Sequence, residues 1–142
     1  MVNDIIDGIT RTLYSRFGGN YRIYAHEDLR QCLREPAFFV ELLDISQISR
    51  LGTQFVRTYN FDVHYFPAKH GSGYELNHTM DEMWQVLEYV QLLNNDVLRG
   101  LDMHAEIIDG ILHFFVTYKR YAYYKDELED MESLSSEVGL DE

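Results

Sequence analysis

One cysteine, Cys32, stands in a chain of 142 residues, which excludes an internal disulfide and a zinc cluster built from thiols. Cys32 itself reads as a small residue beside a core. Proline occurs twice, and both Pro36 and Pro67 bound a strand rather than interrupt one. Bases are scarce: 12 Lys and Arg stand against 24 Asp and Glu, a net charge of −12. That balance argues against binding nucleic acid by neutralising phosphates, which needs clustered cations. No uninterrupted apolar run approaches the ~20 residues needed to span a bilayer. The opening Met1 to Asp7 is acidic and lacks the basic region and long apolar run of a secretion signal. The expectation is a soluble chain made in a reducing cytosol. Catalytic signatures are missing as well: there is no Gly-rich phosphate loop, no G-x-S-x-G elbow, no H-E-x-x-H and no Cys–His arrangement. An enzyme therefore has no positive support, and no cofactor is expected.

What the chain does have is aromatic residues, at 14%, within 46% hydrophobic content, a composition that favours strands and contact surfaces. The organising stretch is Phe55 to Pro67. Tyr59, Phe61, Val63 and Tyr65 alternate with Asn60, Asp62 and His64, the period of two of a strand with one buried and one wet face. This strand is expected at the centre of a sheet, with helices on its aromatic face. On the wet side, His64 and Asp62 read as surface residues, and His26, His70 and His78 sit singly in other elements.

Around it, Asn3 to Phe17 reads as an amphipathic helix with Ile5, Ile6, Ile9, Leu13 and Phe17 on one stripe. Asn3 is the expected cap, and Gly18-Gly19-Asn20 the left-handed stop. Tyr21 to Ala25 is a short strand candidate, and His26 to Arg34 a loop or a turn of helix. Ala37 to Ser46 reads as a buried strand, leaving Ser46 to Gln54 as a long, protruding connection. Ser72-Gly-Tyr-Glu75 has the spacing of a capping box. The helix it opens is expected to reach about Leu93, with Leu76, Met80, Met83, Trp84, Leu87 and Val90 on its core face. Asn94-Asn95-Asp96 would end it. Val97 to Ile108 and Ile111 to Tyr123 flank Asp109-Gly110, a strong hairpin signal.

The pattern predicts an α+β fold: one mainly antiparallel sheet of about five strands with two helices packed on one face. A single domain is expected over 1–125. Residues 126–142 carry only acids among their charges and are expected to form a flexible acidic tail. One constellation bears weighing as a metal site. Pairing outward from Asp109-Gly110 sets Glu106 opposite His113, with His104 on the same side. Such Glu–His pairs also arise on ordinary solvated faces, and the surface reading is preferred, so no metal is expected.

Four phrases together resemble a known family, the small tail terminator proteins of phages and prophage-like elements in Gram-positive bacteria. They are N-D-I-I-D-G-I (Asn3 to Ile9), E-P-A-F-F-V (Glu35 to Val40), R-x-x-x-F-D-V-H-Y-F-P (Arg57 to Pro67) and E-I-I-D-G-I-L-H-F-F-V-x-Y (Glu106 to Tyr118). The resemblance implies a structural protein that forms a ring, usually a hexamer, on the finished tail tube. The ring would stop tube polymerisation and offer a joining surface to the head connector and, in contractile tails, to the sheath. It also implies assembly in the host cytoplasm and then a place in a virion or tail-like particle. DNA would pass through the ring, and an acidic lumen would let it slide. Residues available for contacts between unlike patches are Ile48, Arg50, Leu51 and Gln54 of the protruding connection, with Arg57 beside it. The Tyr-rich end adds Tyr118, Arg120, Tyr121, Tyr123 and Tyr124. Two alternatives stay open: another neck protein of the same particle, and a small acidic secretion-type chaperone or adaptor.

Overall fold

A computed structural model describes residues 1–25, 34–70 and 72–124. Helix α1 spans Val2–Phe17, followed by strands β1 (Arg22–Tyr24), β2 (Ala37–Ser49) and β3 (Gln54–Phe66). Helix α2 spans Gly73–Val86, and strands β4 (Tyr89–Gln91), β5 (Val97–Arg99), β6 (Leu101–Ile108) and β7 (Ile111–Tyr123) follow it. Five strands form one sheet in the order β1-β2-β3-β7-β6, in which only the β1–β2 pair is parallel. The fold is α+β, and β3 is its central strand, as the alternation predicts.

The period of two does the sorting. Tyr59, Phe61, Val63 and Tyr65 of β3 are buried, and so are Leu112, Phe114, Val116 and Tyr118 of β7. Cross-strand partners share a face, so the pairs Val63–Phe114, Phe61–Val116 and Tyr59–Tyr118 stack into one apolar surface. Ile5, Ile6, Ile9 and Leu13 of α1 join that core together with Leu76 and Met83 of α2. Each such side chain contributes roughly 1.5–3 kcal/mol when fully buried. Phe17 closes one end, its ring 4.8 Å from Phe38 and 5.3 Å from Tyr21.

Helix α1 begins one residue before the expected cap: Met1 occupies the N-cap with no side-chain bond, and Asn3 lies within the helix. Gly18 ends it with φ 86° and ψ −172°, donating its amide to Tyr14 O at 2.9 Å, a positive-φ stop that glycine allows but not the αL cap that the sequence implies. In α2, Ser72 caps by accepting the Glu75 amide at 3.1 Å. The reciprocal half of a capping box is replaced, because the Glu75 carboxylate accepts from the amides of Ala68 and Lys69 and from the Tyr65 hydroxyl. That one carboxylate thus ties the β3–α2 connection to a buried ring.

Burial alone would raise the Glu75 pKa, but the Tyr65 hydroxyl and the two amides more than offset it and hold the carboxyl below its ordinary value. Burial, reinforced by the bond to Glu75, pushes the Tyr65 phenol well up, so it stays a donor. A carboxyl with a depressed folded pKa contributes stability above its unfolded pKa and loses it as pH falls through the folded value. Glu75→Gln is expected to lower stability by about 1 kcal/mol at neutral pH. In urea titrations the gap to the parent chain should close as pH drops below the carboxylate range; a gap independent of pH would refute this account.

Three expectations need correction. The expected long connection 46–54 is mostly strand: β2 continues to Ser49 and β3 starts at Gln54. Only a tight turn remains, with Arg50 donating to Gln54 O and Gln54 to Leu51 O. Helix α2 stops at Val86 rather than near Leu93. Val90, expected on the helix face, lies in β4, which pairs with β5 in a separate two-stranded ribbon. Asn94 to Asp96 form the turn of that ribbon, with Leu92 donating to Asp96 O at 2.8 Å. Finally, the expected strand from Val97 to Ile108 breaks at Gly100. The β6–β7 register holds from Ile108–Ile111 to His104–Phe115, then shifts so that Leu101, not Asp102, faces Thr117. Asp102, at φ 50°, sits in the irregularity. The readings of His26 to Arg34 as a loop and of 126–142 as an acidic tail fall outside the described residues, Arg34 excepted.

Candidate interface and the outer face of the sheet

The β2–β3 hairpin and β7 extend past the helices, and the candidate contact residues divide there by strand parity. Ile48 pairs with Val56, and Val56 with Tyr121, so these three form a row on the face away from the helices. Val56 is buried in the row, whereas Ile48 is 62% and Tyr121 71% exposed. Leu51, in the turn, is 87% exposed, and Arg50 and Gln54 beside it are exposed too. Tyr123 and Tyr124 are also exposed, with the Tyr124 ring tilted against Phe55 at 4.9 Å and its amide donating to Thr53 O.

On the other parity, Arg57 donates from Nε to Gln47 Oε1 at 2.9 Å and lies over the Phe55 ring. Tyr118 and Arg120 do not belong to the surface. The Tyr118 hydroxyl donates to Leu87 O at 2.7 Å inside the core, where burial pushes its phenol pKa well up. Arg120 is buried and reaches Asp96 Oδ2 of the β4–β5 turn at 3.0 Å. Their parity puts them on the helix side of β7, the same side as Phe114 and Val116.

Further along the outer face lies a polar cluster that sequence reasoning places incorrectly. Asp62, expected at the surface, is 5% exposed. Glu41 and Phe115 flank it as cross-strand partners, and His64 pairs with His113 one step along. Asp62 Oδ2 stands 2.9 Å from His113 Nδ1 and 3.3 Å from His64 Nε2, and His64 Nε2 stands 2.9 Å from Glu41 Oε1. Asp62 Oδ1 is buried with no hydrogen-bond partner among the described residues. One nitrogen or oxygen atom from each of Asp62, His64 and His113 lies within 4.8 Å of the others, a spacing that could hold a metal ion. The Glu106–His113 register holds, yet the polar contact of His113 is with Asp62. His104 instead stacks on Phe115, with centroids 4.6 Å apart. The missed signal was the same-face spacing Asp62-x-His64 on β3, which the wet-side reading dismissed.

Among the described residues, no helix is long and apolar enough to cross a membrane. Compared with known families, residues 4–131 match the model described as phage tail terminator protein. A search of curated proteins finds no match.

Proposed function

The chain belongs to the phage tail terminator family, and from that premise we propose that it closes a ring on the end of the tail tube. The ring, a hexamer, ends tube growth by steric capping and presents its other side to the head connector and, in contractile tails, to the sheath. The observation that carries this reading is the end of the β2–β3–β7 sheet, which is exposed among the described residues. Ile48, Leu51, Tyr121 and Tyr123 are large, apolar or amphipathic, and exposed together there. A closed ring needs contacts between unlike patches on each subunit, and such contacts favour Tyr and aliphatic anchors in their centre. No catalytic group is needed for this task, in keeping with a structural family.

The charge suits a lumen that passes DNA. A net −12 per subunit, multiplied around a ring, repels phosphates and disfavours sticking. Particles assembled without the gene product should carry tubes of heterogeneous, excess length that fail to join heads. Electron micrographs decide it: tubes of uniform, ordinary length would refute steric capping.

A further inference from the structure

We propose that Asp62, His64 and His113, joined by Glu41 from beside His64, bind one divalent transition-metal ion of the zinc type, which staples β2, β3 and β7 on the face opposite the two helices. The proposal stands on the polar cluster itself and is independent of ring formation.

Hydrogen bonds alone leave this cluster short of donors. His64 Nε2 lies 2.9 Å from Glu41 Oε1 and 3.3 Å from Asp62 Oδ2, but a ring nitrogen carries at most one hydrogen. If it serves Glu41, the buried Asp62 keeps His113 Nδ1 as its single donor among the described residues, and its Oδ1 has none there. A carboxylate this buried is costly unless its oxygens are matched. A divalent cation held by both oxygens of Asp62 resolves the shortage, because neutral imidazoles turn their lone pairs to the ion and the Glu41 carboxylate adds a further oxygen from beside His64. Two carboxylates and one M²⁺ also leave the site neutral.

The spacing fits. Zinc bonds nitrogen and oxygen ligands at about 2.0–2.2 Å, so neighbouring ligands of a tetrahedral site stand roughly 3.4 Å apart. The three short separations here are 2.9, 3.3 and 2.9 Å, within about half an ångström of that edge. The two imidazoles select a transition ion over Mg²⁺ or Ca²⁺, which prefer oxygen-only shells. All four ligands sit on paired strands of the sheet interior, so the framework is already in place.

The test uses the tag-free, full-length chain stripped with a chelator and then titrated with Zn²⁺. One equivalent should bind, and at a hundredfold excess over Kd the melting temperature should rise by about 5 °C or more, with no response to Mg²⁺. His64→Ala and His113→Ala should each abolish binding, while His104→Ala and His78→Ala retain it. No bound zinc in the parent chain, or binding that survives both inner-cluster substitutions, overturns the site. Should either variant misfold, Co²⁺ in the parent chain decides. The intense visible absorption of a tetrahedral site supports the proposal, and the weak spectrum of the hydrated ion overturns it.

Discussion

Gly100→Val is expected to destabilise the chain by about 3 kcal/mol, because the junction of α2, β5 and β7 has no room for a side chain. A Cβ at Gly100 would stand 2.7 Å from Leu87 O, 3.0 Å from Val116 Cγ2 and 3.1 Å from Met103 Sδ. The first of these is backbone and cannot rotate aside. Leu87 O also accepts the Tyr118 hydroxyl, and the Gly100 amide donates to Glu88 O at 2.6 Å. Pushing the carbonyl away thus disturbs a buried hydrogen bond as well as the packing. Gly100→Ala should cost roughly half as much, since it adds the clashing Cβ without the branches. Gly73→Ala provides the contrast: nothing lies within 4 Å of a Cβ there, and alanine is a better helix former than glycine, by up to about 1 kcal/mol. Urea midpoints at a common slope measure all three. A Gly100→Val chain as stable as the parent would mean that the α2 terminus yields freely, contrary to the packing described.

The same junction explains where sequence reading stops. Strand β3 is legible because each residue of its core-facing parity, from Tyr59 to Tyr65, is aromatic or branched and buried. Asp109-Gly110 is legible because both residues adopt positive φ, 54° and 77°, which that pair tolerates. The end of α2 is not. Val90 follows Leu87 by three residues and so continues the helical stripe on paper, although it is the single buried residue of β4. A three-residue ribbon strand has no period to read, and its pairing with β5 is decided by tertiary contact. The outer part of the β2–β3 hairpin fails for another reason. From Leu43 to Ser49 every β2 residue is exposed, so the alternation that marks a strand is gone, and the irregularity between Leu42 and Asp44 shifts its phase. The polar cluster needs still more, since Asp62 meets His113 only once β3 and β7 are in register. The local hairpin that sequence does reveal suggests Glu106 instead. As for the proposed contact surface, its exposed members near the β2–β3 turn are legible as a protruding connection and as tyrosine signals. Tyr118 and Arg120 require the parity of β7 to be told apart from Tyr121.

That parity separates two kinds of substitution, and the second large effect follows from it. Ile48→Asp combined with Leu51→Asp is expected to leave the isolated chain folded while abolishing its work in the particle. Both side chains are mostly exposed in the monomer, and surface changes of this sort usually alter stability by less than about 0.5 kcal/mol. In a ring contact the same residues would be desolvated, and truncating or charging an anchor costs about 2 kcal/mol or more per site. Two carboxylates in place of two apolar anchors should therefore weaken subunit association by about a thousandfold or more. Each subunit already carries a strong excess of acid, so the added charge also meets repulsion across the contact. Complementation reads this out directly: particles supplied with the double variant should carry overgrown tubes, although its melting curve matches the parent's. Tyr118→Ala would fail for the opposite reason, by losing a buried ring and its bond to Leu87 O, and its melting curve would show it. Normal tail lengths with the Ile48→Asp, Leu51→Asp chain would remove the hairpin end from the contact surface and leave the family assignment untouched.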